Sequence, residues 1–413
     1  MPTPVLDDFE QRGLIADVTT RDELGAHLAG ASRTIYVGFD PTADSLHVGS
    51  LVPLLALRRM QLAGHRPIVL VGGGTGLIGD PAGKTGERAL SAEEQVAAYA
   101  ARLRAQVRPF LDFDHGSHAA LLVDNYEWLS QLAVIPFLRD IGKHFGVGAM
   151  IARETVRARL GTGISYTEFT YQVLQAYDFL ALYERHGCTV QMGGSDQWGN
   201  ITAGTELIRR VRGAPAYGLT MPLVTKGDGT KFGKTESGTI WLDPSRTSAY
   251  EMYQFWLNTT DADVVRFLKY FTFLPMAEVE ALALQTTQAP EKREAQRVLA
   301  AEVTRMVHGE EARRRAERAS QQAFGDDVSG VLDGDDGAVP GSVLPPTTAP
   351  RPVWRVLKDA GIVPSTSEAR RLIQQGGVEV NRHRVQDLDE ALAPGRYAIK
   401  VGKRRVYRVI IEA

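Results

Sequence analysis

The chain has 413 residues, of which 44% are hydrophobic and 23% charged, with a formal net charge of −2 at pH 7. The length predicts two or three domains. The composition is that of a globular protein, and the small net charge excludes a uniformly basic or acidic one. The single cysteine, Cys188, excludes an internal disulfide and a thiolate metal cage, and we expect it to be buried and unreactive. Without a long apolar run or an apolar leader, the sequence predicts no membrane span, no signal peptide and a cytoplasmic location.

The first half of the chain alternates strand-like and helix-like runs. Apolar and β-branched residues predict strands at 34–39, 67–71, 120–123 and 189–192. Helical spacing of apolar residues predicts helices at 51–62 and 92–111. The alternation predicts an α/β domain with a Rossmann-like parallel sheet and helices on both faces, in which ligands bind at the carboxyl ends of the strands.

The second half changes character twice. Four helical runs are predicted, at 250–257, 261–270, 276–285 and 291–324. Residues 325–350 then hold five Gly, four Pro and five Asp without Lys or Arg, which predicts a flexible acidic linker. Residues 351–413 carry 13 Lys and Arg against 7 Asp and Glu, so this end of the chain is locally basic.

A first candidate site segment lies at 38–50, between a predicted strand and a helix. Gly49 lets the backbone approach a ligand closely, and His47 could donate to a phosphate oxygen at the positive end of the helix. Ser50 is suited to the N-cap of that helix, and Pro53 to its first turn. An ordinary capped turn with a surface histidine would explain the same residues.

Two glycine-rich segments follow. Gly74 to Gly79 form a GxGxxG pattern after the second strand, for which a dinucleotide site is an alternative. The run continues through Asp80 to Lys84 and Arg88, and these charges suit an ammonium group and a triphosphate better than a nicotinamide dinucleotide. Residues 226–235 hold three lysines and three glycines, as expected of a cationic loop that closes on pyrophosphate, although a surface hairpin has the same composition.

Two further stretches suit a small-molecule pocket. Tyr171, Gln175 and Asp178 recur at i, i+4 and i+7, which places them on one helix face, although a solvated face would look the same. Residues 191–200, Gln-Met-Gly-Gly-Ser-Asp-Gln-Trp-Gly-Asn, follow a strand and combine small residues with amides. That composition suits close backbone approach and hydrogen bonds to a ribose or an amino acid.

Together these motifs resemble those of a known family. His47-Val-Gly-Ser50 and Lys231-Phe-Gly-Lys-Thr235 look like the HIGH and KMSKS motifs of the class I aminoacyl-tRNA synthetases. Gly-Phe-Asp-Pro-Thr, Leu-Ile-Gly-Asp-Pro, Gln-Ala-Tyr-Asp-Phe and Gly-Gly-Ser-Asp-Gln-Trp-Gly-Asn are similar to segments of bacterial-type tyrosyl-tRNA synthetases. The resemblance runs nearly end to end and is weakest in the linker.

The resemblance implies a role for each matching position. The residues that would bind tyrosine are Tyr36, Asp80, Tyr171, Gln175, Asp178, Gln191 and Gln197, with Tyr36 and Asp178 at the phenol hydroxyl. Those that would contact ATP are Asp40, Gly49, Ser50, Asp196 and Lys234. Those that would stabilise the phosphates during the reaction are His47, Lys84, Arg88, Lys231, Lys234 and Thr235.

Two positions depart from the family pattern. Ser50 stands where the second histidine of HIGH is expected, and a serine is shorter and uncharged. Val37 stands where some relatives carry a cysteine that touches the ribose, and valine cannot make that hydrogen bond. Neither change removes a nucleophile, so we expect activity to be retained with altered ATP binding.

The resemblance also implies the domain organisation. It assigns 1–222 to the catalytic domain, 223–324 to the KMSKS-like loop and a helical anticodon-side domain, and 325–350 to the linker. Residues 351–413 resemble an α+β RNA-binding module of a ribosomal protein, in which Arg370 and Arg371 would contact phosphates.

The implied function is tyrosine–tRNA ligation. Tyrosine reacts with ATP to give tyrosyl-adenylate and pyrophosphate, and the tyrosyl group is then transferred to the 3′-terminal ribose of tRNA(Tyr). Mg²⁺ is expected to arrive with ATP, held by the phosphates rather than by a protein metal site. A cytoplasmic homodimer is expected. The alternatives are a tryptophanyl-tRNA synthetase, a non-catalytic RNA-binding paralogue and a nicotinamide-dependent enzyme built on Gly74 to Gly79.

Overall fold

The computed structural model describes most of the chain. The described residues are 4–82, 92–157, 159, 161, 163–225, 232–235, 238–324, 339, 341–347, 349–402 and 405–412. They divide into two compact units, one made of 1–243 with 265–281 and the other of 244–264 with 282–413. The predicted domain limits at 222 and 324 stay predictions.

The first unit is built around a six-stranded sheet. Its strands are β1 (Asp17–Val18), β2 (Thr34–Phe39), β3 (Arg66–Val71), β4 (Leu121–Asp124), β5 (Cys188–Gly194) and β6 (Tyr217–Met221). Their spatial order is β1-β6-β5-β2-β3-β4, and all neighbours are parallel except the β1–β6 pair. The predicted α/β fold with a parallel sheet is confirmed, with a short antiparallel edge strand that the sequence pattern did not indicate.

Among the described residues, ten helices belong wholly to this unit. They are α1 (Val5–Arg12), α2 (Arg21–Gly30), α3 (Leu51–Leu62), α4 (Glu93–Val107), α5 (Tyr126–Leu129), α6 (Val134–Pro136), α7 (Val147–Ile151), α8 (Glu154–Arg157), α9 (Tyr166–His186) and α10 (Trp198–Arg212). Strand β2 and helix α3 have the predicted bounds. Helix α4 ends before the predicted residue 111, because Pro109 lies in a 3₁₀ turn at Arg108–Phe110.

The core of this unit lies between the sheet and helices α9 and α10. Tyr36 and Ile68 from the strands pack with Phe179 and Ala203 from the two helices, and all four are buried. The segment 265–281 is tied to the first helix, since Arg12 donates a hydrogen bond of 2.8 Å to the carbonyl oxygen of Leu274. These contacts fix the sheet edge at which several strand ends meet.

The second unit contains the helical part of the chain. Its helices are α11 (Ala249–Leu257), α12 (Asp261–Phe271), α13 (Met276–Gln288), α14 (Glu294–His308) and α15 (Glu310–Phe324), and the division between the units falls within α12 and α13. Ser248 and Glu251 form a capping box at the start of α11. The predicted run at 291–324 is two helices, because Gly309 adopts a φ of 84° that breaks the helical path.

The basic end of the chain forms a small α+β fold. Its elements are β9 (Gly341–Leu344), β10 (Arg351–Pro352), α16 (Val353–Asp359), α17 (Thr366–Gln374), β11 (Val378–Val380), β12 (His383–Arg384), β13 (Ala391–Leu392), β14 (Gly395–Val401) and β15 (Arg405–Ile411). Five of the strands form a sheet in the order β12-β11-β14-β15-β9.

Strand β9 corrects the predicted linker. It pairs in parallel with β15, from Gly341 opposite Arg408 to Leu344 opposite Ile411. Leu344 is buried in the core of this small domain. Residues 341–344 therefore belong to the folded module, while 325–338 lie outside the described residues.

Within the described residues, no helix has the length and apolarity needed to span a bilayer. Cys188 is buried, as expected, and forms no disulfide, and burial raises the pKa of its thiol above the ordinary value.

Candidate active site

A cavity of about 590 Å³ opens at the carboxyl ends of β2, β3 and β5, where this class of sheet binds ligands. Twelve predicted site residues line it, namely Tyr36, Asp40, His47, Gly49, Ser50, Asp80, Tyr171, Gln175, Asp178, Gln191, Asp196 and Gln197. Val37 lines it as well. Residues separated by more than 150 positions in the sequence are thus brought to one place.

One region of the cavity is formed by Tyr36 and Asp178. Tyr36 is 1% exposed, and its hydroxyl has no hydrogen-bond partner among the described residues. Its ring lies 5.3 Å from that of Phe179, measured between centroids. Burial, followed by the charge of Asp178, raises the pKa of Tyr36 well above its ordinary value. A buried hydroxyl without a partner is costly, so it is a strong candidate to bind a polar group of a ligand.

Two residues that the sequence did not single out hold Asp178 in place. Asn125 Nδ2 and Trp128 Nε1 donate hydrogen bonds of 2.9 and 2.7 Å to its two carboxylate oxygens. Burial nevertheless raises the pKa of Asp178 to about 8. Asn125 directly follows β4, and its polar side chain at a strand end is the signal that could have identified it.

The glycine cluster after β3 makes room for polar side chains. A Cβ on Gly72 would lie 2.0 Å from Asp40 Oδ1, and one on Gly73 would lie 2.3 Å from Asp124 Oδ1. The amide N–H of Gly74 donates to Asn125 Oδ1 at 2.7 Å. These contacts account for Gly72 and Gly73 in structural terms, because a side chain at either position would collide with a carboxylate.

Asp40 lies between the glycine cluster and helix α9. It accepts a hydrogen bond of 2.7 Å from the Thr75 hydroxyl on one oxygen and one of 2.7 Å from Tyr171 on the other. Burial, with the charge of Asp40 next, raises the pKa of Tyr171 well above its ordinary value. Tyr171 therefore remains a neutral hydrogen-bonding group.

A second polar chain lies beside this one. Gln197 donates to Asp80 at 2.7 Å, and Asn200 donates to Gln197 at 3.2 Å and to Gln175 at 3.0 Å. Gln191 is 2% exposed, and its side-chain oxygen has no partner among the described residues. These carboxylate and amide oxygens can accept hydrogen bonds from a ligand ammonium group.

His47 lies at the rim formed by the segment before α3. Its Nδ1 accepts a hydrogen bond of 3.0 Å from the amide of Gly49, so Nε2 carries the proton in the neutral ring. Burial lowers the pKa of His47. A Cβ on Gly49 would lie 2.7 Å from His47 Cε1, which explains the glycine. Ser50 occupies the N-cap position of α3 as predicted, but its side chain makes no capping hydrogen bond.

Asp196 lies at the end of β5, in a 3₁₀ turn that leads into α10. Burial raises its pKa above the ordinary value for an aspartate. A Cβ on Gly194 would lie 2.5 Å from Asp196 Oδ1, so the second glycine of the Gly-Gly pair admits this carboxylate.

The lysine-rich loop of residues 226–235 is described only in part. Lys234–Thr235 (β7) pairs with Gly238–Thr239 (β8), while Lys231 lies outside the described residues, as do Lys84 and Arg88. Phe232 stacks on Phe271 with ring centroids 5.4 Å apart and meets Phe267 edge-on at 5.1 Å. The structure therefore gives the backbone of residues 232–235 and the aromatic contacts of Phe232.

This hairpin is joined to the segment that holds His47. The amide of Val48 donates to the carbonyl oxygen of Ile240 at 3.1 Å, and that of Leu242 donates to Leu46 at 2.8 Å. The rings of His47 and Trp241 meet edge-on with centroids 6.5 Å apart. The amide of Ile240 also donates to the carbonyl oxygen of Gly233 at 2.8 Å, so residues 240–242 link the two signature segments through the backbone.

The predicted RNA contacts lie on helix α17. The guanidinium of Arg370 lies 4.4 Å from the centre of the Trp354 ring, and Arg371 pairs with Glu368 at 3.0 Å. Ser365 caps this helix by accepting from the amide of Glu368. Both arginines lie within a small basic domain that has its own core.

Comparison with known proteins adds to this geometry. Residues 29–325 match the family described as tRNA synthetases class I (W and Y), and residues 353–396 match the S4 domain. The chain is 53% identical to the tyrosine–tRNA ligase of Bacillus caldotenax over 416 residues, which covers 98% of this chain and 99% of the relative. It is 53% identical to that of Roseiflexus castenholzii over 94% of each chain.

A solved structure gives the same result for the fold. The C-terminally truncated mitochondrial tyrosyl-tRNA synthetase of Aspergillus nidulans superposes with a TM-score of 0.72 and 32% identity. The match covers 78% of this chain and 95% of that chain.

Proposed function

Since the chain belongs to the tyrosine–tRNA ligases among the class I aminoacyl-tRNA synthetases, we propose how its own residues carry out the reaction. The enzyme activates tyrosine with ATP and esterifies it to tRNA, and this resolves the tryptophanyl and non-catalytic alternatives in favour of tyrosine ligation.

Tyr36 and Asp178 recognise the phenol hydroxyl of tyrosine. The observation that carries this proposal is that the buried Tyr36 hydroxyl has no partner among the described residues, while Asp178 is held by Asn125 and Trp128 in the same cavity. A phenol would supply the missing partner. Phenylalanine would leave these buried polar groups unpaired, and its binding would be correspondingly weak.

The other end of tyrosine lies against the polar chain on α9 and β5. Asp80, Tyr171 and Gln175 bind the ammonium group, because they place a carboxylate, a hydroxyl and an amide oxygen along one wall. Gln191 and Gln197 line the passage towards ATP. Gln197 keeps Asp80 oriented through their 2.7 Å hydrogen bond.

ATP occupies the part of the cavity near the start of α3. Asp40 and Asp196 line the nucleotide side, and Gly49 and Ser50 allow the chain to approach the ligand at the helix N-terminus. Ser50 supplies a short neutral donor, and Val37 supplies only apolar contact to the ribose. We therefore expect ATP binding that depends more on the phosphates than on the ribose.

The reaction itself needs positioned charge and no protein nucleophile. The tyrosine carboxylate attacks the α-phosphate in line, and pyrophosphate leaves. His47 donates to the phosphates through Nε2. We assign the remaining phosphate donors, as the family resemblance implies, to Lys234 and Thr235 together with Lys231, Lys84 and Arg88.

We propose that Mg²⁺ binds together with ATP. Among the described residues, no group of three or more His, Cys, Asp and Glu side chains is gathered to hold a metal ion. The oxygens of Asp40 and Asp80 already accept hydrogen bonds from protein groups. Mg²⁺ would neutralise phosphate charge, bound mainly by the phosphate oxygens.

The S4 domain supplies the RNA-binding surface, and we assign Arg370 and Arg371 to phosphate contacts with tRNA(Tyr). Arg370 is fixed by its stacking on Trp354, so it loses little side-chain freedom when it binds. Phosphate contacts of this type position the RNA without reading its sequence.

We also propose that the enzyme is a cytoplasmic homodimer. Among the described residues between 134 and 166, six large apolar side chains are exposed, namely Val134, Ile135, Leu138, Val147, Ile151 and Tyr166. Such a concentration is typical of a protein interface, and we assign a second copy of the chain as the partner. The free thiol of Cys188 is compatible with a reducing compartment.

The experiment that tests the site assignment is exchange of labelled pyrophosphate into ATP, with each of the twenty amino acids supplied singly. We expect exchange with tyrosine and none with phenylalanine, and we expect Tyr36→Phe to weaken tyrosine binding. Unchanged tyrosine affinity in Tyr36→Phe would remove that residue from the phenol site.

A further inference from the structure

Gln106, near the end of α4, contacts the backbone just ahead of His47. Its side-chain oxygen accepts hydrogen bonds from the amide of Leu46 at 2.8 Å and from the Ser45 hydroxyl at 3.3 Å. Gln106 is half-buried, and Leu103, one turn earlier on the same helix, lines the cavity. The end of α4 therefore supports the segment that carries His47.

The other end of the same amide reaches the segment that follows the lysine hairpin. Gln106 Nε2 donates to the carbonyl oxygen of Asp44 at 3.3 Å and lies 3.5 Å from Asp243 Oδ2. The amide of Asp243 donates to the Ser45 hydroxyl at 3.2 Å. One side chain thus contacts both of the segments that are paired through Leu46 and Leu242.

We propose that Gln106 is a positioning residue for tyrosyl-adenylate formation, which holds the His47 segment in register with the lysine hairpin. The proposal rests on the phosphate-binding role assigned to His47 above. Gln106 itself does not line the cavity. Its effect must pass through the backbone of 44–48 and 240–243, where small displacements shift groups that act on the phosphates.

The amide group suits this task because it accepts and donates at once. Alanine would leave the Leu46 N–H without its side-chain acceptor. Methionine would keep most of the volume and lose both functions. Glutamate would keep the acceptor for Leu46 but place a negative charge near Asp44 and Asp243.

The test compares Gln106→Ala with Gln95→Ala, which removes an exposed glutamine from the same helix. The two measurements are the single-turnover rate of adenylate formation and the dissociation constant of tyrosine. We expect Gln106→Ala to slow adenylate formation by about 10- to 100-fold while tyrosine affinity stays within about twofold. We expect Gln95→Ala to match the parent in both.

Two further variants separate the amide from its volume. Gln106→Met should be as slow as Gln106→Ala, and Gln106→Glu should recover part of the rate because it keeps the acceptor for Leu46. Recovery with methionine would overturn the proposal, because packing alone would then explain the effect. A parallel loss of tyrosine affinity and rate in Gln106→Ala would also overturn it.

His47→Ala, made alone and together with Gln106→Ala, separates this inference from the site assignment. If His47→Ala is slow and Gln106→Ala is not, the inference alone fails. If His47→Ala keeps the parent rate, the role of His47 fails and the inference falls with it. We expect Gln106→Ala to slow the His47→Ala enzyme far less than it slows the parent, because Gln106 acts through the position of His47.

Discussion

Trp128 donates a hydrogen bond of 2.7 Å from its indole nitrogen to the carboxylate of Asp178, fifty residues further along the chain. Both residues are almost fully buried. This contact fixes one oxygen of the carboxylate that we assign to the substrate phenol, so the specificity of the pocket depends on a residue that does not line it.

Trp128→Phe should therefore weaken tyrosine binding. The variant removes the donor but keeps an aromatic ring, so one oxygen of Asp178 loses its partner and the carboxylate can reorient. Leaving a buried polar group without its hydrogen-bond partner costs about 1 to 3 kcal/mol, and we expect the dissociation constant of tyrosine to rise by about tenfold. Equilibrium dialysis measures it. An affinity equal to that of the parent would show that Asn125 alone orients Asp178.

The raised pKa of Asp178 predicts a pH-dependent contribution to stability. The folded pKa is about 8 and the ordinary value is 3.8, so between them the folded chain binds a proton that the unfolded chain releases. The stabilisation that this bound proton gives to the folded chain is fully present below pH 3.8 and is lost as the pH rises through about 8. Over that range the free energy of unfolding falls by at most about 1.4 kcal/mol per pH unit.

Asp178→Asn should remove this dependence. The difference in the free energy of unfolding between parent and variant, measured by urea denaturation at pH 6, 7 and 8, should change steadily with pH because other titrating groups are common to both proteins. A constant difference would mean that Asp178 is already ionised at pH 6.

Phe232→Ala should slow adenylate formation. Phe232 anchors the lysine hairpin by stacking on Phe271 and packing against Phe267, and its loss frees the backbone that carries Lys234. We expect a decrease of about tenfold in the single-turnover rate, with tyrosine affinity unchanged. Phe232→Leu keeps apolar contact and should retain most of the rate. Equal losses in both variants would point to a requirement for the aromatic ring itself.

Replacing Arg370 and Arg371 together by glutamine should separate the two steps of the reaction. Pyrophosphate exchange should stay at the parent rate, while the KM for tRNA in aminoacylation should rise by about tenfold at low salt. The salt dependence of tRNA binding should become shallower. Arg355→Gln is the matched control, since Arg355 is an exposed arginine on the preceding helix. If Arg355→Gln raised the KM for tRNA equally, the effect would reflect the positive charge of the domain in general and not contacts made by Arg370 and Arg371.

Ile135→Asp should disrupt the proposed dimer. Ile135 is 72% exposed, so the change places a charge in the proposed interface without disturbing the core of the chain. Light scattering should give about twice 45.2 kDa for the parent and a mass near 45.2 kDa for the variant. Leu284→Asp, at a site 58% exposed in α13, should leave the mass unchanged. A monomeric parent would contradict the proposal directly.

The sequence predicts the main elements well where one local rule decides the structure. Strand β2 and helix α3 have the expected bounds because their apolar spacing is unambiguous. The predicted bounds are wrong where a proline or a glycine interrupts a helical run. Pro109 ends α4 early, and Gly309 divides the last predicted helix into two. Strand β9 was missed because its four residues lie in a segment rich in Gly and Pro and depend on pairing with β15.

The site is predictable to the extent that its residues stand in motifs. Twelve of the predicted positions line one cavity, since each lies in or after a strand of the parallel sheet or on the inner face of α9. Trp128 and Gln106 could not be found from the sequence, and Asn125 could be found only from its place at a strand end. Their hydrogen-bond partners lie fifty or more residues away, and only the folded chain brings them together.

The pairing of residues 46–48 with 240–242 also bears on how the enzyme is made. On the ribosome, the segment carrying His47 emerges early and remains without its backbone partners until the later segment has been synthesised. The catalytic centre is therefore assembled late in translation, although many of its residues are available from the beginning. A nascent chain that stops short of Trp241 would contain most of the substrate-contacting side chains and still lack a finished centre.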